Sequence, residues 1–174
     1  MDSNFWYIAS YPKSGNTWCR VFISELLRLQ KNSIEDDNFV LNNDINTGDS
    51  FSSRIWIDDQ LCVDSSDLKR KELEEIRYLV GKSKRIYSEG LRFHKIHDAF
   101  YNKYNANNST VCNTGCKGAI YIIRNPFDIC ISLSNFLNWD IKTCIKVITD
   151  SQFWLNSSNF SCSFHVSQFL GSWD

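Results

Sequence analysis

The chain has 174 residues, enough for one domain with a hydrophobic core of its own. Nineteen Lys and Arg stand against 20 Asp and Glu, so a formal charge of −1 leaves no basic excess for a general nucleic-acid binder. An apolar share of 43% excludes a disordered chain, and no run approaches membrane-spanning length.

Seven Cys, an odd number in a chain of this length, read as reduced thiols rather than a disulfide framework. Cys112 and Cys116 have no second pair at zinc-finger spacing, so no metal is expected. The N-terminus has no basic region followed by an apolar stretch, and with the thiols this gives a cytoplasmic expectation. Asn108-Ser109-Thr110, Asn156-Ser157-Ser158 and Asn159-Phe160-Ser161 fit the glycosylation pattern, and without a leader they are chance matches.

Phe5-Trp6-Tyr7-Ile8-Ala9 reads as a buried strand. Residues 10–16 form a turn with Pro12, Ser14, Gly15 and Asn16. From Thr17, the positions Trp18, Val21, Phe22, Leu26, Leu27 and Leu29 recur at helical spacing to about Gln30. Residues 31–66 are polar and aperiodic, an expected irregular surface segment with one apolar island, Arg54-Ile55-Trp56-Ile57. Ser66 or Asp67 is the expected cap of a helix running through Leu68, Leu73, Ile76 and Leu79 to Gly81. Residues 91–97 read as a strand and 98–116 as a loop.

Residues 118–123 are the clearest strand, and their unbroken apolar character predicts the centre of a parallel sheet. Arg124-Asn125-Pro126 ends it, with Pro126 placed to open a helix whose apolar side holds Ile129, Ile131, Leu133, Phe136 and Leu137. A last helix is expected over 140–155. Alternating strands and helices give an α/β sheet with helices on both faces, in a single domain over 1–174.

Most of the chemistry lies in Tyr11-Pro12-Lys13-Ser14-Gly15-Asn16-Thr17-Trp18. A loop between a buried strand and a helix N-terminus points backbone N–H groups and a partial positive charge at one spot. Gly15 permits close approach, Lys13 supplies a mobile cation, and Ser14 and Thr17 supply hydroxyls. The order is not that of a Walker A loop, because Lys13 precedes Gly15 and no Lys comes just before Thr17. A nucleotide kinase is therefore disfavoured.

This segment resembles the 5′-phosphosulfate loop of the cytosolic-type sulfotransferases, which use 3′-phosphoadenosine 5′-phosphosulfate (PAPS). Tyr121-Ile122-Ile123-Arg124-Asn125-Pro126-Phe127-Asp128, continuing to Ser132, is similar to the family's 3′-phosphate strand and helix. Lys95-Ile96-His97-Asp98 is similar to its Lys-Thr-His segment. The three come in family order over residues 5 to about 136.

The resemblance implies a P-loop-like parallel sheet flanked by helices. It implies cofactor binding by Lys13, Ser14, Gly15, Asn16, Thr17, Trp18, Arg124 and Ser132, with Trp18 on the adenine. It implies catalysis by His97 as general base with Lys13 and Lys95 as cations. PAPS is the implied donor and 3′-phosphoadenosine 5′-phosphate (PAP) the product, with no metal. The expected partner is a small-molecule or other hydroxyl-bearing acceptor, not a nucleic acid or a membrane.

Strand alternation places Lys95 and His97 on one face and His94 on the other. Asn16 and Ile96 replace the family's usual Thr. The chain ends at Gly171-Ser172-Trp173-Asp174, where the family continues to an Arg-Lys-Gly segment that also holds the 3′-phosphate. The expectation is a short member, a fragment, or a relative that binds PAPS or PAP without turnover.

Overall fold

The computed structural model describes residues 4–30, 54–62, 64–81, 91–97, 115–150, 154–155 and 164–165. Strand β1, Asn4–Ser10, lies between β2, Leu91–Ile96, and β3, Cys116–Ile122, and pairs parallel with both. Ile8 pairs with Lys95 on one side and with Ile120 on the other. Its central place explains the aromatic run in β1: Phe5, Tyr7, Ile8 and Ala9 are all buried. Among the described strands β3 is therefore at the edge, not the centre. Its Lys117, Ala119 and Tyr121 are exposed, while Cys116, Gly118, Ile120 and Ile122 are half-buried. An apolar run marks strand propensity, but which strand is central depends on the pairing order.

One sheet face carries Phe5, Tyr7, Ala9 and Ile96 as a core, with Cys116 against it. His94 joins this face, its ring edge-on to Phe5 with centroids 5.2 Å apart. On the opposite face the Trp6 ring lies over Gly118, where an added Cβ would come within 2.6 Å of it.

Helix α1, Asn16–Gln30, follows the first loop. Its apolar positions were expected to face the core, yet Trp18, Phe22, Leu26 and Leu29 are exposed. The buried positions are Asn16 and Ser24, with Arg20 half-buried between them at the same i, i+4 spacing. The sheet beneath presents Ser10 and Lys95, so the helix meets it with polar groups.

The apolar island at 54–57 is helical, not irregular. It opens α2, Arg54–Leu61, whose Ile57 is buried against Leu73 of α3, Arg70–Gly81, with Leu68 and Ile76 packed on the pair. One turn of 3₁₀ helix, Ser65–Asp67, joins them, and Asp58 accepts from the Ser65 N–H at 2.8 Å. Neither Ser66 nor Asp67 caps α3. Glu72 accepts from the Lys69 N–H at 2.8 Å, half of a capping box.

Helix α4, Pro126–Leu137, begins as expected, with Asn125 accepting from the Phe127 N–H at 3.0 Å and Pro126 at the first position. It ends at Asn138, left-handed at φ 54°. Ile129, Cys130 and Leu133 pack with Tyr11 and with Cys144 and Ile148 of α5, Ile141–Thr149. Ile131 and Phe136, expected on the apolar side, are exposed. Helix α5 stops at Asp150 rather than 155. Trp154–Leu155 forms strand β4, antiparallel to β5, Phe164–His165. No helix among the described residues is long and apolar enough to cross a membrane.

Candidate anion and base site

The strand order β2-β1-β3 reverses at β1. In an open parallel sheet, ligands bind in the crevice outside the carboxyl ends of the strands at such a reversal. Here the loop after β1 carries Lys13, the residue after β2 is His97, and the segment after β3 carries Arg124. Three stretches far apart in sequence thus reach one edge of the sheet.

Hydrogen bonds tie them together. Arg124 Nη1 donates to the Lys13 carbonyl at 2.9 Å. His97 Nδ1 lies 2.7 Å from the Ser10 carbonyl and 3.3 Å from the Ser10 hydroxyl. Between the end of β3 and the first loop is a cavity of about 140 Å³, lined by Tyr11, Ser14, Ile122, Arg124, Pro126 and Ile129. Tyr11 is buried on its inner wall, where desolvation first, then the Cys130 and Cys144 thiols, push its phenol above the ordinary range and keep it neutral.

The loop holds two left-handed residues, Lys13 at φ 68° and Gly15 at φ 105°. Such a conformation is free for Gly but costs a side-chain-bearing residue about 1–2 kcal/mol. The Lys13 Nζ rests 4.1 Å from the Phe136 ring centroid. At an exposed site that contact returns about 0.5–1 kcal/mol, less than the strain. Backbone strain of this kind clusters at binding loops, and here it falls one residue before Ser14 of the cavity wall.

Ser14 is 7% exposed, and its hydroxyl is buried with no hydrogen-bond partner among the described residues. It lines the cavity as an unused donor. Helix α1 begins at Asn16, and the Cys19 N–H is the first to bond back, to the Gly15 carbonyl at 3.0 Å. The amides before it have no partner within the helix.

Gly15 and Thr17 are exposed. Trp18 is 73% exposed and stacks on Phe22, ring centroids 5.7 Å apart and planes 2° from parallel. That is a flat apolar platform on the surface, not a core residue.

The Asn16 side chain is engaged with β1 rather than turned to the loop. Its Nδ2 donates inward, to the Ile8 carbonyl at 2.8 Å and the Ser10 hydroxyl at 3.1 Å. The side-chain donors pin the helix to β1, and the buried Oδ1 has no hydrogen-bond partner among the described residues.

Lys95 is half-buried on the face opposite Ile96. Desolvation, then the charges of Arg20 and Lys13, hold its ammonium below the ordinary lysine value. Burial also lowers Arg20, whose Nε is buried with no hydrogen-bond partner among the described residues. Lys13, Arg20 and Lys95 thus form a cationic group that repels itself.

Ser132 is half-buried in the second turn of α4, four residues before Phe136. It makes no hydrogen bond to Arg124 among the described residues. Cys112, the first of the cysteine pair, lies outside the described residues.

No family model matches this chain, and no curated protein or solved structure does either.

Sequence reading missed Arg20, Ser10 and Phe136. Arg20 was detectable: Asn16, Arg20 and Ser24 form a polar stripe at i, i+4, i+8 in a helix otherwise rich in apolar residues. Ser10 and Phe136 carry no such signal, since their roles depend on contacts with His97 and Lys13.

Proposed function

We propose that this protein is a cytoplasmic sulfotransferase that moves the sulfuryl group of PAPS to an acceptor hydroxyl. The observation that carries the reading is the convergence of the three resembling segments on adjacent strand ends, tied by the Arg124–Lys13 and His97–Ser10 hydrogen bonds. The fit to a phosphorylated donor rests on the Ser14 hydroxyl, unpartnered among the described residues, the left-handed loop and the mutually repelling cations.

In this reading the loop amides, Ser14, Thr17 and Lys13 surround the 5′-phosphosulfate, and the amide of Asn16 joins them. Arg124 and Ser132 take the 3′-phosphate, and Trp18 lies along the adenine. A new bond forms between the acceptor oxygen and sulfur, and the bond from sulfur to the leaving phosphate breaks. His97 takes the acceptor proton. Lys13 and Lys95 stabilise the negative charge that builds on the leaving oxygen and on the sulfate oxygens. PAP is the other product.

A binding module that holds PAP without turnover is the second reading, favoured by the seat of the Lys13 ammonium on Phe136.

Thermal unfolding with PAP, against ATP and adenosine monophosphate controls, tests both. A ligand of the folded state adds about 2.7 kcal/mol at a hundredfold excess over its dissociation constant. The expected result is a rise with PAP alone that Arg124→Ala removes. Transfer of labelled sulfate to a hydroxyl panel then separates the readings: His97→Asn should lose turnover and keep the PAP response. Equal responses to ATP and PAP would overturn the assignment.

A further inference from the structure

We infer that Asn16 and Ser10 are positioning residues that hold His97 with its proton on Nδ1 and its lone pair on Nε2, linking the anion loop to the base. The inference rests on the proposed function for the word base, and the proton on Nδ1 rests on the contact with the Ser10 carbonyl.

A carbonyl oxygen only accepts, so a ring nitrogen 2.7 Å from the Ser10 carbonyl carries the proton. In the neutral ring, Nε2 is then the basic nitrogen. The Ser10 hydroxyl is a competitor. It lies 3.3 Å from the same Nδ1, and unlike the carbonyl it can donate. If it swung closer it would donate to a bare Nδ1, and the ring proton would move to Nε2, the wrong side for a base.

Asn16 prevents this. One Nδ2 hydrogen goes to the Ile8 carbonyl at 2.8 Å and the other to the Ser10 hydroxyl at 3.1 Å. The Ile8 carbonyl also fixes the amide orientation, because the opposite flip would place two oxygens together. Asn16 is 5% exposed and Ser10 fully buried, so water does not replace these bonds readily. The hydroxyl is therefore held at a distance too long for a good bond to nitrogen, and the carbonyl wins. The same Asn16 opens α1 at the loop, so a displaced loop would release the base.

The two single variants should act differently, with a fall in one and no fall in the other, which a role in packing alone would not produce. Asn16→Ala frees the hydroxyl and lowers the ratio of Nδ1–H to Nε2–H forms at His97 by about fivefold, the size of one net hydrogen bond. Ser10→Ala removes the competitor, keeps the carbonyl, and leaves the ratio unchanged or higher. Asn16→Thr, which restores one donor, should recover part of the loss.

The measurement is the ¹⁵N spectrum of the full chain labelled at histidine, with His97 assigned through His97→Gln. The wild-type spectrum is decisive without any variant, since a His97 protonated on Nε2 overturns the inference even if Asn16→Ala fails to fold. A folded Asn16→Ala with an unchanged ratio overturns it as well. PAP-induced stabilisation is read on the same samples. Its absence alongside an Nδ1–H ring defeats the sulfotransferase reading and leaves this one intact, and the reverse pattern does the opposite.

Discussion

Asn16→Ala should destabilise this protein more than its position at a helix start suggests. The side chain makes two buried hydrogen bonds, at 2.8 Å to the Ile8 carbonyl and 3.1 Å to the Ser10 hydroxyl. Each is worth about 1 kcal/mol net, and the buried acceptors left behind add a desolvation penalty. The sum is about 2–3 kcal/mol. For a chain of this size that lowers the midpoint of unfolding by about 4–12 °C. Far-UV circular dichroism during heating is the assay, with Thr17→Ala as the control. Thr17 is the next residue but exposed, and its loss should cost under about 0.5 kcal/mol. Equal midpoints for the two variants would refute the claim that Asn16 pins α1 to β1.

Lys95 gives a prediction with a pH sign. Its folded pKa lies below the unfolded value, so the charged form is the one the fold disfavours. The cost is fully present below the folded pKa and is relieved as pH rises toward the unfolded value of about 10.4. Lys95→Met should therefore raise the melting temperature at neutral pH, flatten the alkaline rise in stability, and weaken the PAP response; a variant that melts lower with the slope intact would count against the cationic cluster. Gly118→Ala should destabilise by about 1–3 kcal/mol in urea unfolding, because the new Cβ meets the Trp6 ring at 2.6 Å. Trp6→Leu, which clears that space, should remove most of the difference between Gly and Ala at 118.

Much of the site was legible because its signals are local. Lys13, Gly15 and the start of α1 follow from a turn-rich stretch between an apolar run and a helical period. The opposite faces of His94 and Lys95 follow from the two-residue repeat of a strand. The N-terminus of α4 follows from Asn125 and Pro126. Each of these depends on backbone geometry within a few residues, which the sequence encodes directly.

What only the tertiary structure decided depends on partners far along the chain. The 54–57 island reads as loop until Leu73 gives Ile57 a surface to bury against. The apolar side of α1 faces outward because Asn16 bonds to Ile8 and Ser10, a contact that hydrophobic periodicity does not weigh. Among the described strands the central one is β1 and not β3, since order in a sheet is a matter of pairing between segments, and both candidates are apolar. For the same reason the Asn16 side chain, a candidate donor to phosphate from sequence, is bonded to β1 in the structure. Residue type fixes what hydrogen bonds a side chain is able to make, and the fold chooses which of them it makes.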